Sequence, residues 1–154
     1  MKALVQRVSR ASVAIAKLET RKISQGIVIL LGVTQTDTGA DADYLADKVL
    51  GLRIFRDELG KMNLSVRDIG GDCLVISQFT LYGDARKGRR PSFVAAAPAA
   101  IAEPLYERFL GTLRETGGIT VLSGEFGADM SVEIINDGPV TLMLESECPI
   151  QHGI

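Results

Sequence analysis

Gly26-Ile27-Val28-Ile29-Leu30-Leu31-Gly32-Val33 is the stretch whose reading decides the fold. Ile27 to Leu31 is a five-residue run of Ile, Val and Leu, uncharged and flanked by glycines. It falls far short of the ~20 residues needed to cross a bilayer, and its length and branched side chains suit a buried strand. The spacing therefore predicts a strand over Ile27–Val33. Upstream, residues 2–8 alternate in polarity, and Ala11-Ser12-Val13-Ala14-Ile15 alternates again after a short turn. Lys22-Ile23-Ser24 then leads through Gln25-Gly26 into the run, so this third of the chain reads as an antiparallel meander.

Downstream the period changes. Thr36, Asp37 and Thr38 offer helix N-caps, and Ala42, Leu45, Ala46, Val49 and Leu52 recur at helical spacing, with Asp41, Asp47 and Lys48 left to water. Arg53-Ile54-Phe55 is a short strand entering the turn Asp57–Gly60, and 68–72 is a second turn. Cys73–Leu81 is the next strand, followed by a polar loop over 82–92. Pro98 opens a second helix carrying Ala102, Leu105, Phe109 and Leu113 on one face; Pro104 limits or kinks its first turn, and Gly117-Gly118 ends it. Ile119–Leu122, Met130–Asn136 and Val140–Leu144 read as strands, the last two joined as a hairpin through Asp137-Gly138-Pro139. With no repeat and no linker, residues 1–154 are expected to form a single α+β domain, a mainly antiparallel sheet with two helices.

Composition narrows the function. A chain of 154 residues with 46% hydrophobic and 23% charged residues can build an ordinary globular core. Met1–Arg7 meets charge before any long apolar region, which predicts a cytosolic protein without a membrane partner. The net charge of −2 argues against holding nucleic acid by overall charge. A local basic patch remains: Arg86, Lys87, Arg89 and Arg90, either a solvated loop or a set of phosphate contacts. Cys73 and Cys148 match no metal motif, and Cys73, opening an apolar run, reads as a buried thiol. The sole histidine, His152, lies third from the end and is a poor general base. No zinc site, phosphate loop or dinucleotide fingerprint is present in the pattern, so neither metal nor cofactor is expected.

Two segments can carry chemistry. Ser77-Gln78-Phe79-Thr80-Leu81 ends a buried strand beside the basic loop, offering hydroxyl, amide and backbone N–H groups able to stabilise an oxyanion. The alternative is an ordinary strand end facing water. Asn136-Asp137-Gly138-Pro139 is a good turn sequence in any protein. It becomes functional if the Gly-Pro bond is cis, since it then presents a rigid pair of carbonyls.

At these segments the sequence resembles the D-aminoacyl-tRNA deacylase family, nearly end to end. Leu52-Arg53-Ile54-Phe55-Arg56-Asp57, Gly60-Lys61-Met62-Asn63, Lys87–Phe93, Gly127-Ala128-Asp129-Met130 and Asn136-Asp137-Gly138-Pro139-Val140-Thr141 all match. The Ser-Gln-Phe-Thr-Leu form is similar to the bacterial type and not to the Pro-Gln-Ala-Thr-Leu of animal relatives. The tail from Cys148 to Ile154 has no counterpart. The resemblance implies a barrel-like sheet and hydrolysis of D-aminoacyl-tRNA by a homodimer with its sites at the interface. One chain supplies Ser77, Gln78, Phe79 and Thr80, and the partner inserts Gly138 and Pro139 to exclude L side chains. Arg7, Met130 and Asn136 support the site, and Arg86, Lys87, Arg89 and Arg90 contact the tRNA. Glycyl-tRNA, mischarged on tRNA for alanine, is implied as a further substrate. The terminal 2′-OH of the RNA is implied to activate the water. A covalent role for Thr80 stays open, although no side chain in the pattern is suited to deprotonate it.

Overall fold

The computed structural model describes residues 1–16 and 18–146; Cys148 and His152 lie outside them. In chain order the elements are β1 (Lys2–Ile15), β2 (Glu19–Ile23), β3 (Gly26–Gly32), α1 (Gly39–Leu50), β4 (Phe55–Arg56), β5 (Met62–Leu64), β6 (Asp72–Ser77), α2 (Ala99–Gly117), β7 (Val121–Ser123) and β8 (Met130–Glu145). The main sheet runs β2-β1-β3-β6-β7, with β8 on the other edge of β1. It curls into a barrel-like shape with the two helices on its outside, and β4–β5 form a separate two-stranded ribbon.

The apolar run over Ile27–Leu31 lies in β3, between antiparallel β1 and parallel β6. Because strands cover both its edges and side chains cover both its faces, it tolerates no charge. The parallel β3–β6 and β6–β7 pairs require crossovers, which the two helices supply. One core cluster lies between sheet and helices and includes Ala3, Val5, Ile29, Leu45, Val49, Phe109 and Leu113. A second lines the barrel interior with Val8, Ala11, Val13, Ile15, Val28, Leu74 and Ile76.

α1 begins where expected: the Thr38 N–H donates to Asp41 Oδ2 at 2.7 Å, closing half of a capping box. Leu52 lies beyond its Gly51 C-cap yet still packs on the core. α2 runs unbroken through the exposed Pro104 and ends at Gly118, whose φ of 64° makes the left-handed cap.

Three expectations are corrected. Residues 2–8 and 11–15 are one strand, with register shifts around Val8 in place of a turn. These bulges lie between Ala3 and Val5 on the helix side and Ala11 and Val13 in the barrel, where they redirect the strand. The strand predicted over Cys73–Leu81 stops at Ser77. Its last partner on β7 lies opposite Val75 and its last on β3 opposite Ser77, and Phe79–Tyr82 then leaves the sheet as a 3-10 turn.

The third correction matters most. Met130–Asn136 and Val140–Leu144 are not two arms of a hairpin but one strand, both halves paired to β1. Between the pairs Gln6–Thr141 and Val8–Asn136, β1 has the single residue Arg7 where β8 has four, 137–140. The Asp137-Gly138-Pro139 segment is a loop thrown out of an otherwise continuous strand.

Candidate active site

β6 delivers Ser77 to the sheet edge opposite Leu31, and the Gln78 N–H donates to the Leu31 carbonyl at 2.8 Å. The chain then turns, with the Leu81 N–H donating to the Gln78 carbonyl at 3.3 Å and the Gly83 N–H to Thr80 at 2.9 Å. The first donors of such a turn have no acceptor within it. Among the described residues, the N–H groups of Phe79 and Thr80 have none elsewhere either. Two backbone donors are thus fixed at a strand end and left free, the geometry that stabilises an oxyanion.

Ser77, Gln78 and Phe79 line a cavity of about 470 Å³. Its far wall is the segment from Phe126 to Met130 with Val132, and its base includes Tyr106 and Ala102 of α2. Met130 heads β8, and its Sδ accepts the Glu125 N–H at 3.4 Å. Thr80 does not line the cavity; its hydroxyl receives the Gln78 side-chain amide.

Few side chains here can take a proton near neutral pH. Burial pushes the Tyr106 hydroxyl up to about 12, while it donates to the Val75 carbonyl at 3.2 Å. Burial also pushes the Cys73 thiol up to about 12 and raises Tyr82 further. Asp129 is the carboxylate on the cavity wall. Tyr106 and Phe126 were not singled out from sequence, Tyr106 because it lies within the apolar face of α2, and Asp129 entered only as part of the matching stretch Gly127-Ala128-Asp129-Met130, with no role of its own. Among the described residues no group of three or more His, Cys, Asp or Glu could hold a metal ion. Among the described residues no helix is long and apolar enough to cross a membrane.

Gly138 and Pro139 do not line this cavity. They stand exposed on the β8 loop, joined by a cis peptide bond, with Gly138 at φ 121°. The loop is mounted on Arg7, a buried cation only 3% exposed. Arg7 Nη1 donates to the Ile54 carbonyl at 2.7 Å, and Nε donates to the Asp137 carbonyl at 3.2 Å and faces its carboxylate at 3.1 Å. Asn136 clasps the other side: its Oδ1 accepts the Val140 N–H at 3.1 Å, and its Nδ2 donates to Thr141 Oγ1 at 2.8 Å. A Cβ on Gly138 would fall 2.7 Å from Arg7 Nη2. The mount leaves no room for a side chain.

The basic loop is pinched off by two 2.8 Å hydrogen bonds between the backbones of Asp84 and Ser92. Its base reaches the site through Phe93, which meets Phe79 edge-on at 5.2 Å. Arg86 is held two-pronged by Asp84, at 2.9 and 2.7 Å, and each partner shifts the other toward its charged form. Among the described residues Lys87, Arg89 and Arg90 have no such carboxylate partner. The four cations therefore divide into one engaged and three free.

The family model for D-Tyr-tRNA(Tyr) deacylase matches residues 4–145, which includes every element of this site. The chain belongs to that family. A deacylase of this kind is a hydrolase of the aminoacyl ester bond. The D-aminoacyl-tRNA deacylase of Thermotoga petrophila is 55% identical over 95% of this chain and 97% of its own length. That of Heliobacterium modesticaldum is 57% identical over 94% and 96%. Among solved structures, the c-Myc DNA unwinding element binding protein superposes with a TM-score of 0.89 at 45% identity, covering 96% of this chain and all of its own. A probable eukaryotic D-amino acid tRNA deacylase, 17% identical, shares the deacylase fold at a TM-score of 0.84 over 94% of this chain and 98% of its own.

Proposed function

We propose that this chain hydrolyses the ester of D-aminoacyl-tRNA, releasing the free D-amino acid and the tRNA. The observation that carries this reading is the pair of N–H groups at Phe79 and Thr80 that have no acceptor among the described residues, beside a cavity whose described lining holds no histidine. Donors preorganised where negative charge develops act directly on the transition state of ester cleavage, and held water needs little more. The terminal 2′-OH of the RNA activates that water. Thr80 is not the nucleophile in this reading, because the contact on its hydroxyl is an amide donor.

The Gly138-Pro139 carbonyls hold the substrate's amino group and exclude an L side chain, so selection for handedness works by backbone. The loop is exposed, takes no part in its own cavity, and interrupts a strand that carries the exposed apolar side chains of Ile135, Leu142 and Met143. This arrangement supports a homodimer in which each loop completes the partner's site. Met130 walls the cavity, while Arg7 and Asn136 mount the loop. Lys87, Arg89 and Arg90, with Arg86 as an anchored member, contact RNA phosphates. Glycyl-tRNA is cleaved as well, because a filter acting only by L-rejection admits it. The whole activity resides in one domain and acts in the cytosol on charged tRNA.

The name of the relative at 45% identity motivates a second reading, in which the basic loop binds nucleic acid without turnover. Purified protein incubated with D-Tyr-tRNA and L-Tyr-tRNA separates the two. Fast release from the D-substrate alone supports the deacylase; no release from either supports binding only, and equal rates remove the chirality claim. Replacing the terminal 2′-OH by hydrogen is expected to cause a large loss of kcat.

A further inference from the structure

The structure assigns Arg21 as the positioning residue that closes the barrel and thereby sets the far wall of the active-site cavity. This rests on the deacylase reading of that cavity. β2 and β7 are the two ends of the strand path β2-β1-β3-β6-β7, and neither pairs with the other through its backbone. Arg21 spans the gap from the middle of β2. Its Nη1 donates to the Ser123 carbonyl at 2.6 Å and to the Gly124 carbonyl at 3.3 Å, where β7 gives way to the wall segment. Glu19 holds the rest of the fork, accepting Nε at 3.0 Å and Nη2 at 3.2 Å. A planar guanidinium held on two edges has a fixed direction, so it can define the place of the carbonyls it meets.

What lies beyond those carbonyls gives the staple its consequence. Gly124 is pinned from the other side by its N–H on the Val75 carbonyl at 2.9 Å. A Cβ there would fall 2.5 Å from Met130 Sδ and 3.1 Å from Ile76 Cδ1, so Met130 packs directly on the Gly124 backbone. The Asp129 carbonyl is taken by the Ala16 N–H at 3.0 Å, which fixes the far end of the segment. A shift of Gly124 therefore passes to Met130 and to the cavity wall opposite Gln78 and Phe79.

Misplacing a bound ester by about 1 Å costs on the order of a hundredfold in rate. Arg21→Leu is expected to lower kcat on D-Tyr-tRNA by about tenfold or more by that misplacement, with KM changed less than about twofold because the basic loop is untouched. Arg21→Lys, which keeps one donor, is expected to recover part of kcat. Gly124→Ala, which displaces Met130 directly, is expected to reproduce the split between kcat and KM. Methyl-labelled methionine NMR reads the wall without substrate: the Met130 methyl signal should move in Arg21→Leu and return toward its place in Arg21→Lys. This readout survives failure of the deacylase reading, which shows itself as an inactive parent protein. If Arg21→Leu does not fold, Arg21→Lys carries the test through the same signal and the same kcat. An unmoved Met130 signal together with unchanged kcat in the folded variants overturns the proposal.

Discussion

The Ser77–Tyr82 turn and the Asn136–Val140 loop are both held by hydrogen bonds, and they are held in opposite ways. The first continues a central strand, takes its hold from Leu31 and faces a cavity in its own chain. The second leaves an edge strand, depends on the side chains of Arg7 and Asn136, and faces outward. On the proposed reading, donors aimed at the reacting carbonyl come from a backbone turn that the end of a sheet strand holds in place. On the same reading the loop completes another molecule's site, so it cannot be buried in its own core and needs a mount. The difference predicts that damage to the loop spoils selection and rate while sparing the fold, whereas damage near the turn spoils both.

Gly138→Ala gives the largest expected effect. A methyl group 2.7 Å from Arg7 Nη2, on a residue at φ 121°, forces the loop off its mount. The expected outcome is a fall in kcat/KM for D-Tyr-tRNA of about a hundredfold or more, as for misplacement near the reacting atoms. The thermal midpoint should change little, since the loop is exposed. Steady-state deacylation and a melting curve on the same sample check this, and undiminished activity would detach the loop from the site.

Arg7→Met attacks the mount from below. It strips the Ile54 and Asp137 carbonyls of a charged donor, and a buried acceptor left unpaired costs roughly 1–3 kcal/mol. Unlike Gly138→Ala, this change should lower both the urea midpoint and the activity. Equal midpoints for the two variants would erase the distinction between loop and mount.

Periodicity was enough to read the parts whose reasons are local. Ile27–Leu31, the α1 stripe through Ala42, Leu45 and Val49, and the α2 stripe through Phe109 and Leu113 lie in the core because their spacing matches one element each. Arg7 also left a signal, since it occupies the same inward parity as Ala3 and Val5, where a cation needs partners. Those partners, Ile54 and Asp137, lie far along the chain and leave no local trace. The Asp137-Gly138-Pro139 error has the same origin. Turn residues suit a hairpin and a thrown-out loop equally, and only the fourteen-residue length of β1 decides between them. Arg21 leaves no local signal because its acceptors, the carbonyls of Ser123 and Gly124, lie 102 and 103 residues away.

The basic loop sharpens the comparison at a smaller scale. Arg86 is committed to Asp84, whereas Lys87, Arg89 and Arg90 are not, so the four should differ in their share of RNA binding. Each phosphate contact removed is expected to flatten the plot of log affinity against log salt by about 0.7 to 0.9. Lys87→Ala, Arg89→Ala and Arg90→Ala should each raise KM and flatten that slope, leaving kcat in place. Arg86→Ala should flatten it least, since its loss also frees Asp84 to repel phosphate without removing an available cation. Equal slopes for all four variants would show that the Asp84 pair does not withhold Arg86.

Thr80→Ala carries the smallest expected effect and bears most directly on the chemistry. The substitution leaves the Phe79 and Thr80 backbone donors in place and removes only a hydroxyl that receives the Gln78 amide. Losing one hydrogen bond of about 0.5–1.5 kcal/mol limits the drop in kcat to roughly tenfold. A covalent mechanism through Thr80 demands instead the loss of nearly all activity, and an acyl-enzyme trappable from the parent protein by rapid acid quench. Asp129→Asn completes the pair, since Asp129 is the carboxylate on the cavity wall. If the RNA hydroxyl and backbone donors do the chemistry, both variants keep most of their rate, and the 2′-deoxy substrate alone is slow. If Asp129 serves as base, its amide variant loses nearly all activity. The rank of these three perturbations, small for Thr80, small for Asp129 and large for the 2′-OH, tells whether a turn of backbone can serve where most hydrolases keep a histidine.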